Sequence, residues 1–85
     1  MTNKTSKHII TFSNGQSAWL IVTEYPTIFV GELILSNLIN TGKKSFTLPV
    51  KDFKADSLNG LLIIVEEFLK CETSFDFIIK FDSNL

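Results

Sequence analysis

Eighty-five residues with a net charge of −1 set the scale of one small domain. All eight basic residues are lysine, so the guanidinium fork that reads guanine and clamps phosphate is missing, which argues against recognition of duplex DNA. Apolar runs such as Leu33–Leu35 and Leu61–Val65 fall far short of the roughly 20 residues that span a bilayer, and the one cysteine, Cys71, leaves no internal disulfide to form.

Met1–Lys7 is polar and lacks the apolar stretch of a secretory leader. It is expected to be a flexible tail, with residues 8–85 as a single α+β domain located in the cytoplasm. His8–Ser13 and Ser17–Thr23 are β-rich and flank Asn14-Gly15. Both of these residues accept positive φ readily, so the pattern predicts a hairpin with a two-residue turn. In the second run Trp19 and Ile21 oppose Ala18, Leu20 and Val22. Both faces are therefore apolar, as in a central strand.

Pro26 interrupts the chain, and residues 27–41 then fit two periods. As a helix, Glu32, Ser36, Asn37 and Asn40 share one arc, Val30, Ile34, Leu35, Leu38 and Ile39 share the other, and Gly42 sits where a left-handed cap belongs. As a strand, Ile28, Val30 and Ile34 alternate with Phe29, Leu33 and Leu35. The helix is the preferred reading. Lys44–Leu48 reads as a short strand closed by Pro49. Asp56 or Ser57 is placed to cap a second helix, in which Leu58, Leu61, Leu62, Val65, Phe68 and Leu69 recur at i, i+3 and i+4. Phe75, Phe77, Ile79 and Phe81 alternate with Asp76, Ile78, Lys80 and Asp82, the cleanest period-two pattern in the chain, and this set is expected to face the core. The expected fold is α+β, a small and mostly antiparallel sheet with two helices in the order β-β-α-β-α-β. The alternative is a β-meander followed by one helix and a C-terminal strand.

No residue pattern demands chemistry. His8 is the only histidine and opens a strand beside the polar tail, where an exposed side chain is expected. Cys71 lies near a helix C-terminus, where the dipole disfavours a thiolate, and reads as a buried or half-buried, inert thiol. One Cys and one His cannot complete a tetrahedral zinc site. Gly42-Lys43-Lys44-Ser45 lacks the earlier glycine and the following helix of a phosphate loop. No catalytic residue, metal ligand or cofactor is expected.

Two surfaces remain as candidates for binding. Residues 1–54 carry six lysines against Glu24, Glu32 and Asp52, while the rest of the chain is acidic. Lys43, Lys44, Lys51 and Lys54 interleave with Phe46 and Phe53, the mixture of phosphate-tracking cations and base-stacking rings found in single-strand binders. The other candidate comes from the apolar surplus. A chain this short buries only about 60–65% of its unfolded surface, yet 45% of its residues are hydrophobic. The surplus points to an interface, with Trp19, Tyr25, Phe29, Leu35 and Ile39 as the residues nearest it. The leading expectation is a non-catalytic protein-interaction protein, a small regulator, adaptor or inhibitor that pairs with itself as a homodimer or with a protein target. Size and an AT-rich composition suggest a phage or mobile element as its source. A single-stranded nucleic-acid-binding module using Lys43–Lys54 is the alternative.

Overall fold

The hairpin forms where Asn14-Gly15 places it, in a looser version than expected. The Gly15 N–H donates to the Phe12 carbonyl (3.0 Å) and the Phe12 N–H to the Gln16 carbonyl (2.8 Å). The loop is therefore the three residues Ser13-Asn14-Gly15, and only its last position needs the left-handed region, which Gly15 occupies at φ 94°. A three-residue loop of this kind adds a bulge to the hairpin in place of the mirror-image two-residue turn.

The computed structural model describes residues 4–35 and 46–84. They form β1 (Lys4–Phe12), β2 (Ser17–Glu24), β3 (Phe29–Leu35), β4 (Lys51–Ala55), α1 (Leu58–Glu72) and β5 (Phe77–Asn84). The strands make one sheet in the order β4-β3-β2-β1-β5, with every neighbouring pair antiparallel. The first four strands are a meander, and α1 carries the chain back across it so that β5 can pair with β1. This matches the alternative reading, a meander followed by one helix and a C-terminal strand.

Four further expectations of the fold need correction. Residues 29–35 are strand, where a helix was preferred; the part of that helix beyond Leu35 lies outside the described residues. The reason is pairing: β3 sits between β2 and β4, and Phe29, Gly31, Leu33 and Leu35 share the face that meets α1. The strand expected at Lys44–Leu48 is absent over its described part, Lys44 and Ser45 lying outside the described residues. Residues 46–50 have no regular structure, and the next strand begins at Lys51, beyond Pro49. β1 begins at Lys4, so Lys4–Lys7, expected in the tail, pair with β2. The fourth concerns Phe81, described below.

The core lies between α1 and one face of the sheet. Ile10, Phe12, Ala18, Leu20, Val22, Leu33 and Phe53 meet Leu61, Val65 and Leu69. Ser57 is the N-cap of α1, its hydroxyl accepting from the Gly60 N–H at 3.0 Å. The helix packs closely over Gly31, where a Cβ would stand 3.0 Å from Leu20 Cδ1 and 3.1 Å from Leu61 Cδ2. The absence of a side chain there lets Leu61 seat between neighbouring strands.

One end of the core is closed by rings. Phe12 packs edge-on against Phe46 (4.8 Å between centroids), and Phe46 stacks on Phe75 (5.8 Å). Phe46 is held by the Gln16 side chain, which accepts from the Phe46 N–H (3.0 Å) and donates to its carbonyl (3.1 Å). Gln16 thus does for residue 46 what a neighbouring strand would do, satisfying both backbone groups of an irregular segment.

Candidate functional site

The helix covers one face of the sheet, and among the described residues nothing covers the other. Cross-strand register decides what that bare face carries. Ile9 stands opposite Trp19, and Trp19 opposite Ile34, forming an apolar row across three strands. Ile21 lies beside the row and Ile78 opposite Thr11 on β5. Trp19 is 42% exposed and Ile78 62% exposed, while Ile9, Ile21 and Ile34 are half-buried by one another. Charged side chains ring the patch: Lys7, Glu32, Asp52, Lys54 and Lys80 all occupy this face. Lys7 links rim to centre, its Nζ lying 4.7 Å from the Trp19 ring and 3.4 Å from Asp82 Oδ2. A cation over the indole helps to fix the ring, which stays 42% exposed.

The residues expected at an interface divide between the two faces. Trp19 is the centre of the bare one. Tyr25 is exposed at the turn after β2, its N–H bonded to the Ile28 carbonyl. Phe29 and Leu35 are partly buried against the core on the helix side. Ile39 lies outside the described residues. Ile9, Ile34 and Ile78, absent from the expected set, join Trp19 only through register. Their one sequence signal was that β-rich segments carried isoleucine on both alternating faces.

The basic-aromatic segment does not form a single surface among the described residues. Lys43 and Lys44 lie outside them. Phe53 is buried in the core and Phe46 packs within the ring cluster, so neither offers a free face to a base. Lys51 folds over Phe68 at 4.7 Å on the helix side. Lys54 projects on the opposite face, across from Val30.

His8 and Cys71 both depart from expectation. Cys71 is exposed. His8 is 5% exposed, set within β1 because that strand starts at Lys4, four residues before its expected start at His8. Its ring meets Phe81 edge-on at 5.4 Å, and Nδ1 has no hydrogen-bond partner among the described residues. Burial holds the imidazole below its ordinary pKa of 6.5. Protonation therefore begins in the unfolded chain at a higher pH than in the folded one. Stability is full above about pH 7, declines as the pH falls through 6.5, and levels off below the folded-state value. Urea midpoints at pH 7.5 and 5.5 should show this loss in the parent protein and lose it in His8→Phe. A midpoint that is equal at both pH values in the parent would refute the assignment.

Among the described residues no three His, Cys, Asp or Glu side chains gather where they could hold a metal ion, and no helix is long and apolar enough to cross a membrane. No family model, curated protein or solved structure matches the chain.

Proposed function

We propose that this is a non-catalytic protein-binding domain, a small regulator, adaptor or inhibitor, whose contact surface is the bare face of the sheet. The observation that carries the reading is the half-exposed Trp19 set among isoleucines and rimmed by both signs of charge. Aromatic anchors surrounded by apolar contacts and a polar rim are the usual anatomy of a binding hot spot. A contiguous apolar patch on a rigid sheet also costs little order on binding, because its side chains are already held by their cross-strand neighbours.

The reading is tested by placing a photo-crosslinking amino acid at Thr11, exposed on the bare face, or at Glu67, exposed on the outer side of α1. In a lysate of the native host the Thr11 probe should capture one protein and the Glu67 probe none. Trp19→Ser should reduce that capture about tenfold or more, as loss of a hot-spot aromatic does. Equal capture from both faces, or capture indifferent to Trp19→Ser, would refute the reading. A complex that dissolves steeply between low and physiological salt would instead point to nucleic acid.

A further inference from the structure

The two edges of the sheet differ in chemistry. β4 is five residues long and carries Lys51, Asp52 and Lys54, charges of the kind that keep an edge from pairing. β5 is eight residues long and begins Phe77-Ile78-Ile79-Lys80-Phe81. Ile78 is 62% exposed on the bare face and Phe81 is 61% exposed on the helix side. The latter corrects the expectation that Phe81 faces the core: α1 packs over β3 and β4, so its cover does not reach the outer end of β5. Among the described residues β5 has β1 on one side and no strand on the other.

The polarity of that edge follows from the hairpin. Because the Phe12 N–H donates toward β2, the opposed pairs Phe12–Phe77, Ile10–Ile79 and His8–Phe81 are of the non-hydrogen-bonded type. The N–H and C=O groups of Phe77, Ile79 and Phe81 therefore point outward, away from β1.

We propose that β5 is the seam of a homodimer, in which two copies of the chain join β5 to β5, antiparallel, about a twofold axis through Ile79 and normal to the sheet. This register pairs Ile79 with itself and Phe77 with Phe81 of the second copy, each such pair exchanging both of its N–H···O bonds. It alone matches every outward-facing residue of one strand with an outward-facing residue of the other. Shifting the axis one residue toward the C-terminus sets Lys80 against Lys80 and draws the bulge opposite Lys7 and His8 into the seam. On the bare face the proposed register places Ile78 against Lys80 of the second copy.

Side chains on the helix side supply the complementarity that selects a second copy over an arbitrary strand. A hollow bounded by Glu66, Lys70, Thr73, Phe75 and Phe77 opens where α1 ends and β5 begins. The twofold axis sets Phe81 of the second copy beside Phe77, at the mouth of this hollow. Each copy thus offers a projecting ring at one end of β5 and receives its mate's ring at the other, the self-complementary arrangement a twofold interface requires. The result is a continuous ten-stranded sheet with both helices on one side. Both Trp19 patches lie on the other side, separated by five strand spacings, roughly 24 Å.

Sedimentation equilibrium on the whole chain tests this, with the parent expected to be dimeric at about 100 μM. Phe81→Pro removes an outward N–H and no bond to β1, and it should weaken dimerisation at least about tenfold while a cooperative thermal transition is retained. Ile78→Glu and Ile78→Lys remove the same apolar surface, but the first sets a carboxylate against Lys80 and the second an ammonium. At low salt the glutamate variant should dimerise about tenfold or more tightly than the lysine variant. A monomeric parent would overturn the proposal, as would a folded Phe81→Pro variant that dimerises normally. If Phe81→Pro does not fold, equal dimerisation of the two Ile78 variants would overturn it. Because the readout is mass, the outcome is independent of whether the Trp19 face binds a target.

Discussion

Phe12→Ala is expected to cost about 3–5 kcal/mol, the largest loss of any single truncation in this chain. Phe12 is almost wholly buried at the end of β1, and its ring touches both Phe46 and Phe77. Removal opens a cavity and breaks two aromatic pairs, each worth roughly 0.5–1.5 kcal/mol beyond the area it buries. The site has little capacity to collapse. The Phe12 backbone is fixed on one side by the hairpin loop, and Phe46 is fixed by the Gln16 amide. At about 0.05–0.15 kcal/mol per residue, a domain of this size has a total stability of roughly 4–13 kcal/mol, so this one change removes a large share of it. Urea unfolding of the two proteins measures the difference. A shift equivalent to less than about 1 kcal/mol would mean that Phe12 does not organise the ring cluster.

Leu61→Ala should cost about 2–5 kcal/mol by a different route. Leu61, Val65 and Leu69 are the three buried residues of α1, and Leu61 is the one seated over Gly31. Its loss weakens the cover that the helix gives to β3 at Gly31, while the β1–β2 hairpin and its ring cluster keep their contacts. Gly31 makes the prediction specific. In the parent protein Gly31→Ala crowds both Leu61 and Leu20, which are fully buried and cannot swing aside. With Leu61 truncated, the added methyl enters space that the leucine has vacated. Gly31→Ala should therefore be more costly in the parent than in the Leu61→Ala background, with a coupling of about 0.5–3 kcal/mol from a double-mutant cycle. Additive effects would show that helix and sheet do not meet at this point.

Several features could be read directly from the residues. Asn14-Gly15 located the hairpin, because a left-handed residue is required at the loop and glycine accepts that geometry without a Cβ penalty. The i, i+3, i+4 recurrence from Leu58 to Leu69 located α1, and Ser57 its start, because capping and an amphipathic stripe are local properties. The period-two alternation after Phe75 located β5 for the same reason. Trp19 was legible as an interface candidate because its strand is apolar on both faces, and helices packed on one face leave the other without cover.

What the local pattern could not decide was settled by neighbours. Residues 29–35 carry apolar side chains at both helical and strand spacings, so either period was open until β2 and β4 supplied partners on both sides. β4 has a single buried apolar residue, Phe53, too little for a period to appear. It is strand because β3 offers it an edge. His8 looked exposed beside a polar tail, yet pairing of Lys4–Lys7 with β2 drew it into the interior. The joining of Ile9, Trp19, Ile34 and Ile78 into one patch depends on register between residues far apart in the chain. Local propensity and capping act within a few residues and were therefore present in the amino-acid order itself. Strand pairing and the choice of which face the helix covers are long-range, and only the assembled sheet determined them.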